Sequence, residues 1–68
     1  MKANKFQIWK NGKPLDEYSY EHLGQASLEW VQDTHRKEVV EVDVEGKYLR
    51  SVPEHECHEA ILAMSLHR

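Results

Sequence analysis

The dipeptide Asn11-Gly12 is the feature that most restricts how this chain can fold. It separates residues 6–10, which mix apolar and polar side chains, from a second extended run at residues 13–18. A type I′ turn needs positive φ at both central residues, so Asn-Gly between two such runs is a strong signal for a β-hairpin. The sequence therefore predicts an N-terminal hairpin.

A two-residue loop fixes which side chains of this hairpin share a face. Ile8 stands opposite Leu15, and Phe6 joins them on the same face, whereas Trp9 points to the other face beside Pro14. Proline cannot donate a hydrogen bond to a neighbouring strand, so the returning strand is expected at an edge of the sheet.

An amphipathic helix is predicted over residues 20–34. Ser19 has the side chain of an N-cap, and Tyr18 and Leu23 have the spacing of a hydrophobic staple. Gly24 and Ser27 lie within the apolar stripe, where small residues would let the helix approach a sheet closely. The predicted apolar face consists of Tyr20, Leu23, Ala26, Ser27, Trp30 and Val31.

A second hairpin is predicted from strands at residues 38–44 and 47–52, with Glu45-Gly46 as the turn. This register pairs Val42 with Leu49 on the inner side and Glu41 with Arg50 on the outer side. The inner side also receives the valines at positions 40 and 44. The opposite face would then carry Trp9, Val39, Asp43, Tyr48 and Val52.

A final helix is predicted over residues 53–66, with Ser51 and Glu54 at the spacing of a capping box. Its apolar face consists of Cys57, Ala60, Ile61 and Met64, while Leu62 and Leu66 point away. This helix either packs under the sheet, leaving Leu62 and Leu66 uncovered, or packs at the sheet edge, leaving Trp9 and Tyr48 uncovered. The order β-β-α-β-β-α predicts a single α+β domain over residues 1–68, with an antiparallel sheet of two hairpins packed on the first helix.

Charge and cysteine content narrow the class of protein. Nine lysines and arginines against twelve acids give a net charge of −3, which is too acidic for a general nucleic-acid binder. The single cysteine excludes an intramolecular disulfide and favours a reducing, cytoplasmic location. No apolar run has the length of a membrane span.

No motif predicts catalysis, so the chain is expected not to be an enzyme and to need no cofactor. His55, Cys57 and His58 are zinc-ligand types, but histidines three apart do not match the helical zinc motif, which needs them four apart. The alternative is that Cys57 packs in the core while both histidines face solvent. The sequence therefore predicts no metal site.

The leading functional hypothesis is a small protein-binding module that acts stoichiometrically. Its layout resembles that of many tiny accessory proteins, including some phage-encoded inhibitors of host defence, in topology alone. The candidate partner-binding residues are the acidic Glu21, Glu29, Asp33, Glu41 and Asp43 and the apolar Trp9, Tyr48, Leu62 and Leu66. The acidic set would suit a basic surface on a nucleic-acid-handling protein.

Two further possibilities depend on other parts of the chain. The lysines around Trp9 in the first hairpin would allow weak binding of a single-stranded nucleic acid. Leucines on the outer side of the last helix would allow a homodimer.

Overall fold

A computed structural model of the chain describes residues 4–15, 18–32 and 37–66, with the backbone alone for residues 65 and 66. Its elements are β1 (Lys5–Lys10), β2 (Lys13–Pro14), α1 (Leu23–Gln32), β3 (Lys37–Val42), β4 (Tyr48–Ser51) and α2 (Glu54–Leu66). The strands form one antiparallel sheet in the order β2-β1-β3-β4. The predicted α+β fold and its β-β-α-β-β-α order are confirmed.

The first hairpin turns at the predicted position. Asn11 and Gly12 both have positive φ, at 54° and 80°, and Trp9 is paired with Pro14. The predicted extent of the returning strand is wrong, because β2 ends at Pro14.

The chain rejoins β1 further along, at Tyr20. The amide of Phe6 donates to the Tyr20 carbonyl at 2.8 Å, and the Tyr20 amide donates to the Phe6 carbonyl at 2.7 Å. Because Tyr20 is held in this β-bridge, α1 begins only at Leu23, three residues later than predicted. Ser19 does not cap the helix: its hydroxyl accepts a hydrogen bond from Gln7 instead.

The second hairpin has a three-residue loop rather than the predicted two-residue loop. The Gly46 amide donates to the Asp43 carbonyl, the Asp43 amide donates to the Lys47 carbonyl, and Gly46 has a φ of 88°. This is a type I turn followed by a left-handed glycine. Val42 therefore pairs with Tyr48, and the predicted Val42–Leu49 pair is wrong.

One extra residue in β4 restores the predicted register beyond the turn. The pairing shifts between Glu41 and Val42, so that Leu49 is left over as a bulge. Glu41 then pairs with Arg50, as predicted. Both strands are shorter at the turn than expected, and Val44 is exposed in the loop.

The predicted inner and outer sides of the second hairpin are reversed. β1 and β3 pair so that Ile8 is opposite Val39 and Gln7 is opposite Val40. Opposite residues in an antiparallel pair share a face, so Val39 lies with Ile8. Val40 lies on the face of Trp9, and the prediction that it shares the face of Ile8 is wrong.

Both helices lie on the Ile8 side of the sheet, which we call the covered face. The core there consists of Ile8, Ala26, Trp30, Val39, Val52 and Cys57, with Phe6, Tyr20 and Leu23 packed against it. Val31, which was predicted in the apolar stripe, is 42% exposed. Val52 was predicted on the other face but belongs to this core.

The helix α2 packs mainly against α1. A side chain at Gly24 would collide with the side chain of Met64 and come within 3.2 Å of the Ala60 carbonyl oxygen. The small residue thus permits a close approach of two helices, not of a helix and the sheet as predicted. The predicted capping box is also absent, since the Ser51 hydroxyl donates to Glu38.

Candidate functional site

The face of the sheet opposite the helices, which we call the open face, carries a pair of aromatic rings. Trp9 of β1 and Tyr48 of β4 lie on either side of the central strand β3, yet their ring centroids are 5.5 Å apart at an interplanar angle of 51°. The register puts Val40 midway between their positions. Val40 and Val42 are 0% exposed, so this face buries apolar surface beneath the side chains of neighbouring strands.

A buried amide fixes the Trp9 ring. The Trp9 indole Nε1 donates to Gln7 Oε1 at 3.0 Å, and Gln7 Nε2 donates to the Ser19 hydroxyl at 3.0 Å. Gln7 is only 7% exposed. Both ends of a buried amide are therefore satisfied, which removes the usual cost of burying it.

A second chain of hydrogen bonds holds the Tyr48 ring. The Ser51 hydroxyl donates to Glu38 Oε1 at 2.9 Å and lies 3.3 Å from the Tyr48 hydroxyl. A serine hydroxyl has one proton to donate, so Tyr48 is the donor to Ser51. The two rings are thus oriented from both sides, while 49% of Tyr48 remains exposed.

Two of the predicted acidic residues have internal partners. Glu41 accepts hydrogen bonds from Asn4 at 2.8 Å and from Arg50 at 2.7 Å. These two bonds, with that of Asn4 the stronger influence, hold the pKa of Glu41 below its ordinary value. Arg50 also donates to Glu56 of α2 at 2.9 Å, so this network joins the sheet to the second helix on the covered side.

Asp43 stabilises the β3–β4 turn. Its carboxylate accepts from the amides of Glu45 and Lys47, each at 2.9 Å. Hydrogen bonds from the backbone, above all that of Lys47, hold the pKa of Asp43 below its ordinary value. Asp43 therefore has a local structural role.

The remaining predicted residues are dispersed. Glu21 lies 4.0 Å from Lys5, and Glu29 is exposed on α1. Leu62 is 60% exposed on α2, in the helical layer and not on the open face. Asp33 and the side chain of Leu66 lie outside the described residues. Among the nine predicted partner-binding residues, Trp9 and Tyr48 are the two that the described contacts bring together.

Gln7 was not among the residues predicted for this site. The signal was available, because Gln7 and Trp9 are two apart on a predicted strand and hence on one face.

The His55, Cys57 and His58 cluster does not converge. Cys57 is buried between the helices next to Ser27, whereas both histidines are exposed. Burial raises the pKa of the Cys57 thiol. Within the described ranges, no group of three or more histidine, cysteine, aspartate or glutamate side chains is arranged to hold a metal ion.

Among the described residues, no helix has the length and apolar character needed to cross a membrane. Comparisons of the chain with protein families, with curated proteins and with solved structures find no match.

Proposed function

We propose that this chain is a non-catalytic protein-binding module that docks a larger protein on its open face. The observation that carries the proposal is the Trp9–Tyr48 pair, which is preorganised on the face that the two helices leave free. Tryptophan and tyrosine are enriched among the residues that contribute most to protein interfaces.

Preorganisation supports binding because it lowers the entropy lost on association. Immobilising a flexible side chain at an interface costs about 0.5–1.5 kcal/mol. The bonds from Trp9 to Gln7 and from Tyr48 to Ser51 restrict both rings before a partner arrives. A rigid aromatic surface on a small scaffold suits stoichiometric binding of the kind used by small inhibitor or accessory proteins, including those of phages and other mobile elements. A cytoplasmic partner is part of this proposal.

The test is capture and reconstitution. The immobilised chain is exposed to a lysate of its source cells, and a captured protein is then purified and titrated against wild type, Tyr48→Ala and Leu28→Ala by calorimetry. Leu28 is an exposed apolar residue of α1 and serves as the matched control. We expect one-to-one binding that Tyr48→Ala weakens by at least about tenfold, as for a central interface residue.

The opposite pattern would overturn the proposal. Equal affinity of wild type and Tyr48→Ala, with loss of binding in Leu28→Ala, would place the interface on the helical layer. Circular dichroism of each variant establishes that it is folded before its affinity is compared.

A further inference from the structure

A carboxylate lies beside the aromatic pair on the open face. Glu38 of β3 is directly opposite Trp9 of β1, and opposite residues of an antiparallel pair share a face, with their Cβ atoms about 4.5–5.5 Å apart. The Glu38 carboxylate also accepts the hydrogen bond of Ser51, whose hydroxyl in turn accepts that of Tyr48. Glu38 is therefore the cross-strand neighbour of one ring and is linked through Ser51 to the other.

The lysines of the central strands lie away from this carboxylate. Alternation along β1 turns Lys10 to the face opposite Trp9, and Lys13 and Lys37, which pair with Lys10, share its face. Lys5 does face the open side, but it is four residues from Trp9, which is about 13 Å along a strand. The paired residue that places a charge next to Trp9 on the open face is thus an acid.

A partner that covers the aromatic pair also covers this carboxylate. A standard interface takes about 800 Å² from each partner, which is more than two neighbouring side chains supply. Glu38 is already partly buried, and its hydrogen-bond donor among the described residues is Ser51. Removing a carboxylate from water is costly unless a cation or further donors accompany it. A partner with a purely apolar surface would therefore bind this face poorly.

We infer that the partner places an arginine side chain on the aromatic pair, with its guanidinium paired to Glu38. This inference rests on the proposed function and adds the chemistry of the group that is recognised. A guanidinium stacks on aromatic faces and donates paired hydrogen bonds to a carboxylate. A cation interacts with a ring when it lies within about 6 Å of the centroid. The centroids of Trp9 and Tyr48 are 5.5 Å apart, so one guanidinium can reach both rings.

Other occupants fit this combination of groups less well. Glu38 would repel the phosphate of a nucleic acid stacked on Trp9, and it would repel an acidic protein segment in the same way. A lysine ammonium could pair with Glu38, but it is compact, strongly hydrated and unable to stack as a plane. Rings beside a carboxylate therefore favour arginine over lysine.

The test uses defined probes and the full chain. Capped tripeptides with a central arginine, citrulline, lysine or glutamate between two leucines are titrated by NMR at low and physiological salt, beside a short oligothymidine. Citrulline keeps the shape of arginine without its charge. The variants are Glu38→Gln, which retains an oxygen to accept from Ser51, and Tyr48→Ala. Glu59→Gln, an exposed change on α2 with the same loss of charge, is the matched control.

We expect the arginine peptide to bind most tightly and to shift the indole resonance of Trp9. Its affinity should exceed that of the citrulline peptide by about three- to tenfold at low salt, as for one cation next to a ring and a carboxylate. Glu38→Gln should remove most of this preference, and Glu59→Gln should leave it nearly unchanged. Amide spectra of the free variants show whether each one is folded.

Several results would overturn the inference. These are tighter binding of the glutamate peptide, the lysine peptide or oligothymidine, an equal loss in Glu59→Gln, and no preference for arginine over citrulline, including no binding of either.

The two proposals fail in different ways. If Tyr48→Ala abolishes peptide binding while Glu38→Gln has no effect, the aromatic docking face stands and the arginine site is excluded. If Glu38→Gln weakens binding of the arginine peptide while Tyr48→Ala does not, the carboxylate attracts cations but the aromatic pair is not the docking site.

Discussion

The two faces of the sheet bury apolar side chains by different means. On the covered face, Ile8 and Val39 pack against residues of both helices. On the open face, Val40 and Val42 are as fully buried as Val39, although both helices lie on the other side. A pair of aromatic rings that meets across the central strand thus takes the place of a third layer.

This difference explains how a chain of 68 residues can make its central strand apolar on both faces. A small domain buries a limited share of its surface. Few side chains are therefore available to cover each face of the sheet. Trp9 is partly buried and Tyr48 is 49% exposed, so both rings cover the sheet while remaining accessible to solvent. The covered face is therefore closed by the helices, whereas the open face is covered by side chains of the sheet itself.

The largest effect is expected at the contact between the helices that covers one face. Gly24→Leu should lower the free energy of unfolding by about 3 kcal/mol, because the added side chain would push Met64 and Ala60 away from α1. Urea unfolding measures this. Gln25→Leu introduces the same residue at the adjacent exposed position. Because glutamine and leucine have similar helix propensities, this control should change stability by less than about 0.5 kcal/mol. Equal stability of the two variants would show that the helices need no close approach.

A direct comparison of the faces comes from truncating one valine on each. Val39→Ala and Val40→Ala should each cost about 2 kcal/mol in the free energy of unfolding, since both side chains are fully buried. Urea midpoints of the two variants should coincide. A cost below about 0.5 kcal/mol for Val40→Ala would mean that the open face behaves as ordinary surface.

The aromatic pair itself should contribute less. Tyr48→Ala should lower the free energy of unfolding by about 1 kcal/mol, which lies within the range found for interacting aromatic rings. Tyr48→Phe keeps the ring and removes the hydrogen bond to Ser51, so it should retain most of the stability. Leu49→Ala, in the neighbouring bulge, is the control. If Tyr48→Phe were as unstable as Tyr48→Ala, the hydroxyl rather than the ring would hold this face together.

The smallest effect is expected from the ionic network at the edge of the covered face. The pKa of Glu41 is held below its ordinary value of 4.5 in the folded chain. Its contribution to stability is therefore present above about pH 4.5 and is lost as the pH falls through the lowered pKa. Glu41→Gln should reduce stability slightly at neutral pH. Its stability should also fall less than that of the wild type as the pH is lowered.

Thermal unfolding between neutral and acidic pH tests this prediction. Glu29→Gln, an exposed carboxylate change on α1, is the control and should keep the wild-type profile. If the stability of Glu41→Gln fell with pH in parallel to that of the wild type, the hydrogen bonds from Asn4 and Arg50 would not stabilise the charged form of Glu41.

Much of the fold could be predicted because its signals are local. Positive φ at Asn11-Gly12 and the alternation along β3 are properties of short segments, and both hairpins and both helices form where those signals occur. The errors at α1 have a non-local cause. Tyr20 is engaged by Phe6 and Ser19 by Gln7, partners that are twelve or more residues away.

The two aromatic residues of the candidate site could also be predicted from the local sequence pattern. Trp9 and Tyr48 were identified as exposed apolar residues on the face away from α1, and they meet there. The burial of Gln7 and the role of Ser51 did not follow, because Gln7 also needs Ser19 from a loop and Ser51 needs Glu38 from another strand. The pair of Glu41 and Arg50 was predicted, whereas the role of Asp43 was missed although its partners, the amides of Glu45 and Lys47, lie in the same turn.

The sequence by itself determined the order of the elements, the position of both turns and the amphipathic character of α1. Only the tertiary structure decided which side of β3 faces the helices. Val39, Val40 and Val42 make both sides of that strand apolar, so alternation alone cannot choose between them. The choice was made by pairing with β1, which sets Val39 opposite Ile8, and a register shift of one residue would exchange the two faces.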